Sequence, residues 1–127
     1  MKIKQFEIWI ADLNPRMGTK AGKVRPVIVI QTDLLNKEHP STIVCPITTN
    51  VKPDSEILRV HLKKTKFGLK EDCDIMIDQV RAIDNKRLMK KVGEVDNDTA
   101  DKVRENLKIV LDLDKPARNA NRVDGLG

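Results

Sequence analysis

Val24-Arg25-Pro26-Val27-Ile28-Val29-Ile30-Gln31 is β-branched and almost continuously apolar, the composition of a strand covered on both faces. Its proline stands near the start, where a missing N–H is tolerable. Upstream, Phe6, Ile8 and Ile10 alternate with Glu7, Trp9 and Ala11, the period-two pattern of a first strand that ends at Asn14-Pro15. Between the two, Arg16 to Lys23 holds two glycines, two lysines and an arginine, which predicts an exposed, basic loop.

Downstream, Ser41 to Thr48 (STIVCPIT) predicts a third strand, and its proline argues for an edge or a bulge. Leu58, Val60 and Leu62 alternate with Arg59, His61 and Lys63, which predicts a fourth strand with a cationic outer face. Asp74 to Asp84 (DIMIDQVRAID) holds either one bent strand or two short ones. Lys91 to Val95 follows as another, after a turn at Asn85-Lys86-Arg87. Five or more short strands at this spacing predict a mainly β fold, a compact and strongly bent barrel. One helix is predicted, from about Asp96 to Leu113, where Ala100, Val103, Leu107, Val110 and Leu111 share a face and Asp96 or Asp98 caps the start. Residues 114–127 carry little apolar content and read as a flexible tail, leaving a single domain over residues 1–113.

With 127 residues the chain supports one hydrophobic core and not two substantial ones. Hydrophobic residues make up 39% and charged residues 34%. No run approaches the ~20 apolar residues of a membrane span, and Met1 to Ile10 has no signal-peptide pattern, so the expectation is a soluble protein in the cytoplasm. Cys45 and Cys73 form no Cys-x-x-Cys pattern and have no histidine spacing for zinc; they read as buried free thiols. The formal net charge is +5, and its distribution matters more than its size. Arg59 to Lys70 holds five Lys/Arg and no acid, and Lys86 to Lys91 holds four basic residues in six. Two such runs in one small domain favour a surface that tracks phosphates.

The usual acid/base candidates are scarce. A two-histidine ribonuclease needs both imidazoles together, yet His39 precedes Pro40 in a loop and His61 lies on an outward strand position, each reading as a plain surface histidine. Neither Cys45 nor Ser41 occupies a strand-turn-helix elbow. Asp72, Asp74 and Asp78 lack a ligand spacing for metal-assisted hydrolysis, so no metal and no cofactor are expected. What stands out is Gly22-Lys23-Val24-Arg25-Pro26, where a glycine loop delivers an arginine to the mouth of an apolar strand. Its planar, permanently charged fork suits two phosphate oxygens. Taken alone, Arg25 is equally an ion-pair partner for one of the nineteen acids.

The order MGTKAGKVRPVIVIQ, then IVCPITT, then DQVRAID followed by RL and VGEV resembles the MazF/PemK toxin family over about residues 4 to 113. The resemblance implies an SH3-like small barrel with one C-terminal α-helix, a symmetric homodimer, and metal-independent cleavage of single-stranded RNA. The RNA's own 2′-hydroxyl attacks, leaving a 2′,3′-cyclic phosphate and a 5′-hydroxyl. It also implies inhibition by an acidic, disordered antitoxin peptide. By matched position, Arg25 and Thr48 are the catalytic pair, and Asp78 and Gln79 hold a catalytic or supporting place. Where one branch has an arginine two residues before that acid, this chain has Met76, which favours Arg25 with Thr48. RNA contacts are implied for Met17, Thr19, Lys20, Lys23, Thr49, Asn50 and Arg81, and Lys20 stands where relatives often carry an acid. Lys63, Lys64 and Lys66 are expected to meet the antitoxin. Two other classes stay open: a non-enzymatic toxin of the same fold that poisons a topoisomerase, and an SH3-like RNA- or protein-binding module. The module would ordinarily show stacking aromatics, and here Phe6, Phe67 and Trp9 are the only three.

Overall fold

A computed structural model describes residues 2–15 and 24–114. The chain forms β1 (Glu7–Asp12), β2 (Val24–Val29), the short α1 (Asp33–Asn36), β3 (Ser41–Thr48), β4 (Arg59–Leu62), β5 (Cys73–Met76), β6 (Arg81–Asp84), a 3-10 turn (Asn85–Arg87), β7 (Leu88–Glu94) and α2 (Asn97–Leu111). The stretch from residue 74 to 84 therefore resolves into two strands, and the turn at Asn85-Lys86-Arg87 is helical. Asp96 caps α2, its side chain accepting from the Thr99 N–H at 2.9 Å, which satisfies one of the first-turn donors.

All strand pairs are antiparallel, in the order β4-β5-β3-β2-β1-β7, with β6 also on β3. The third strand is not an edge. It pairs with β2 along one side, while along the other Ser41 to Val44 meet β6 and Ile47 and Thr48 meet β5. Pro46 falls at the changeover, where its missing N–H breaks no ladder with either strand. The mainly β architecture with one C-terminal helix is as expected, and its sheet is open. β6 and β7 are joined through the 3-10 turn but share no ladder among the described residues, so the seven-stranded sheet curls without closing.

Each face of the sheet builds a core. On one, Ile8, Ile28, Cys45, Ile47, Val60, Leu62 and Ile75 pack with Ala100 and Val103 of α2. On the other, Trp9, Ala11, Val27, Val29, Val44, Ile83 and Leu88 pack together. Alternate residues of β2 and β3 feed opposite cores, which explains why their sequences show no polar alternation. Leu107 and Val110 reach the first core, but Leu111 is half-exposed. Cys45 and Cys73 are buried free thiols; burial, with the Asp78 charge adding to it, pushes Cys45 up to about 12.

Candidate active site

The ladder between β2 and β3 sets Val27 opposite Pro46 and Ile28 opposite Cys45. Carried two residues further, the same register brings Arg25 opposite Thr48. Thr48 in turn faces Asp74 on β5, and Asp74 faces His61 on β4. Facing residues of antiparallel strands share a face, so Arg25, Thr48, Asp74 and His61 form one polar row across four strands. Arg25 and Thr48 are half-buried at the open end of their strands. Among the described residues no carboxylate pairs with Arg25. The Thr48 Oγ1 accepts from the Asn50 N–H at 3.1 Å, which leaves its own proton to donate. A fixed cation and a hydroxyl proton aimed from one row can grip a phosphate and stabilise charge gathering on it.

Asp74 anchors the far half of the row. Its carboxylate is 0% exposed and accepts from the Lys52 N–H at 2.8 Å and from Arg59 Nη1 at 3.1 Å, while His61 Nδ1 lies 2.6 Å from its other oxygen. Sequence reading missed this cluster. His61 is no plain surface residue, since its Nδ1 engages a buried acid and its Nε2 is enclosed without a partner among the described residues. His39 does sit in an exposed loop, bonded to Ser41. The basic runs are also partly spoken for. Arg59 serves Asp74, Arg87 donates to the carbonyls of Asp12 and Asn14 at 2.9 and 2.6 Å, and Lys91 pairs with Glu7 at 3.0 Å.

Thr49 and Asn50 are exposed just past β3. Thr49, on the opposite face from Thr48, borders an open cleft of about 440 Å³ with Lys70 and Lys90 on its walls. Asp78 and Gln79 lie exposed in the turn between β5 and β6, and Arg81 opens β6 opposite Val44. They stand beside the middle of β3 and not at its Thr48 end. Lys63, Lys64 and Lys66 project from the tight loop after β4. That loop is closed by the Thr65 N–H on the Leu69 carbonyl at 2.9 Å and the Lys64 N–H on Asp72 at 2.8 Å. Met17, Thr19, Lys20 and Lys23, and the tail beyond Asp114, lie outside the described residues. Among the described residues no group of three or more His, Cys, Asp or Glu side chains is placed to hold a metal ion, and no helix is long and apolar enough to cross a membrane.

Comparison with known proteins agrees with this fold. Endoribonuclease EndoA of Bacillus subtilis (strain 168) is 37% identical over 113 residues, 89% of this chain and 97% of its own length. Among solved structures, the Mycobacterium tuberculosis toxin MazF-mt6 superposes with a TM-score of 0.73 at 23% identity, covering 86% of this chain and 99% of that one. An endoribonuclease in complex with its cognate antitoxin, from Mycobacterial species, gives 0.73 at 17% identity over 90% of this chain and 99% of that one. The sequence profile of one family matches residues 4–111, nearly the whole described domain. The chain belongs to that family, the PemK-like, MazF-like toxins of type II toxin–antitoxin systems.

Proposed function

We propose that this protein is an endoribonuclease toxin that cuts single-stranded mRNA without a metal, using Arg25 and Thr48 as its catalytic pair. The observation that carries the reading is the β2–β3 register, which runs to Val27 opposite Pro46 and whose continuation by two residues sets Arg25 opposite Thr48. The name of the Bacillus subtilis relative supports the activity. In the proposed reaction the 2′-oxygen bonds to the adjacent phosphorus and the bond from phosphorus to the 5′-oxygen breaks. The 2′-hydroxyl gives up its proton, and the departing 5′-oxygen takes one up. The nucleophile is already tethered beside its target, so the protein need only align it and stabilise charge on the phosphate. Arg25 supplies the permanent cation and Thr48 a hydroxyl proton.

The test is an RNA with a single 2′-deoxy substitution on the nucleotide 5′ to the scissile bond. Cleavage there should vanish while binding through phosphates persists, EDTA should change nothing, and the normal upstream fragment should end in a 2′,3′-cyclic phosphate. Cutting of the deoxy-substituted RNA at the same bond would show that water attacks.

A topoisomerase poison of the same fold would have no use for the Arg25 and Thr48 pairing. A stacking module is poorly served by these aromatics. Trp9 is buried, and Phe6 and Phe67 pack against the core, with the Arg104 guanidinium already 4.5 Å over the Phe6 ring.

The partners in this reading are a second copy of the chain and an acidic, disordered antitoxin peptide. Ile57, Leu58, Ile109 and Leu111 are each about half-exposed, and Asn106 ties α2 to the Ile57 segment through the Glu56 carbonyl at 3.1 Å. An apolar surface of this kind suits an isologous dimer. The lysines after β4 and the basic residues of segment 16–23 supply charge for the peptide's carboxylates. The site of action is the cytoplasm, where the mRNA is.

A further inference from the structure

We infer that Arg59, itself held by Asp74, is a positioning residue that sets the Thr48 hydroxyl by gripping Asn50. The inference rests on the catalytic reading of Thr48.

An unbroken polar path joins the buried carboxylate to that hydroxyl. Arg59 Nη1 donates to Asp74 at 3.1 Å and to the Asn50 carbonyl at 3.0 Å, and the Asn50 N–H donates to Thr48 Oγ1 at 3.1 Å. Asn50 is exposed and lies beyond the last ladder pair of β3, so no strand partner fixes it. Its carbonyl is gripped by Arg59, and the same peptide is turned by the Val51 N–H on the Thr49 carbonyl at 3.0 Å. The Arg59 side chain is only 13% exposed, and its guanidinium is pinned by a fully buried acid for which an unpaired state would be costly. Asp74 also takes the Lys52 N–H at 2.8 Å, so one carboxylate holds the chain two residues past Asn50 as well. His61, at 2.6 Å on the other oxygen, keeps the acid from turning away.

The direction of the final bond matters chemically. Because Asn50 donates to Thr48 Oγ1, that oxygen acts as the acceptor within the protein and its proton is directed outward, toward the row shared with Arg25. Were Asn50 released, the hydroxyl would rotate among its rotamers, and its proton would have to be oriented at the moment of reaction. Val60, Leu62 and Ile75 pack β4 and β5 into the core, so the strands keep an apolar hold of their own when a polar contact is weakened, and the readout that singles out Thr48 is kcat.

The test is a double-mutant cycle on kcat and KM, using a single-stranded RNA oligonucleotide with a mapped cleavage site. Arg59→Gln should lower kcat by about 10- to 100-fold, the range that misplacing a reacting group by an ångström reaches, with KM nearly unchanged. Arg59→Lys, whose ammonium can still donate to both oxygens, should recover most of the loss. In a Thr48→Ala background Arg59→Gln should cost nothing more, since the group it positions is gone. Full kcat in Thr48→Ala would sink the catalytic reading itself. If Thr48→Ala is inactive but folded Arg59→Gln keeps full kcat, or the two losses multiply, the positioning role is overturned. Should Arg59→Gln lose its thermal transition, Asp74→Asn, which keeps the side-chain shape while loosening the hold on Arg59, is judged by the same two criteria.

Discussion

Thr48 and Asp74 face one another directly across the β3–β5 ladder, so a half-exposed hydroxyl and a fully buried carboxylate share one face, one strand apart. At this end of the face Arg25 lies on the β2 side of the pair, and Arg59 with His61 on the β4 side.

Arg25→Ala and Thr48→Ala should each lower cleavage by a factor of about 10²–10³, the usual cost of losing a preorganised donor. Their thermal midpoints should stay close to wild type, because neither side chain is in a core. Asp78→Asn should keep measurable activity, its carboxylate lying in the β5–β6 turn. Kinetics and melting curves of the three variants check this; a folded but dead Asp78→Asn beside a fully active Thr48→Ala would reverse the roles.

Neutralising Lys63, Lys64 and Lys66 together should weaken capture of an acidic antitoxin peptide and flatten its salt dependence, since fewer charges meet the peptide. The three are exposed, so stability should hold. Titration calorimetry at two salt concentrations reads both, and unchanged affinity would remove this loop from the interface.

Glu7 should make the fold acid-sensitive. Burial alone would raise its carboxyl, but bonds from Trp9 Nε1 at 3.0 Å, Lys91 at 3.0 Å and the Lys4 N–H at 2.9 Å outweigh it and hold the group below the ordinary glutamate value. A depressed folded pKa means the stability is complete above the unfolded value of about 4.3 and is lost as pH falls through the lower folded one. The melting-temperature gap between wild type and Glu7→Gln should therefore be widest near neutrality and shrink in acid. A gap that stays constant through the acid range would show that the charge contributes nothing.

Gly68 has φ +87°, and a Cβ there would collide with the Val92 carbonyl; at Gly93 a Cβ would strike the Phe67 carbonyl. Two backbones thus meet where no side chain fits. Gly68→Ala should cost about 1–3 kcal/mol, the scale of local backbone strain, and shift the urea midpoint at unchanged slope. An unmoved midpoint would mean the loop gives way freely.

Much of this was legible. The third strand can be read at its full length from STIVCPIT, and α2 from its spacing and Asp96, because both signals are local. The Arg25 and Thr48 pairing is legible through the resemblance, though only the register shows why they meet. Three features were hidden for physical reasons. The four residues of α1 span barely one turn and carry no period; Thr32 caps them and the buried Gln31 Nε2 to Asn36 bond at 2.8 Å holds them. Pro46 signals a break but not the exchange of partners that makes it tolerable inside a sheet. Asp74 alternates with apolar neighbours as any outward carboxylate would, and only the folded β4 brings the cation and imidazole that let it be buried.

That third strand belongs to both cores, giving Val44 to one and Cys45 and Ile47 to the other. Neither half of the molecule can then open while the other stays shut. In native-state hydrogen exchange the amides of residues 42–45 and 47 should be the slowest, released only by global unfolding, while those just past Thr48 exchange early. The Thr48 hydroxyl sits where this strand gives way to a tethered turn, so a ligand that slows exchange at Asn50 can do so without altering the rate at Val44.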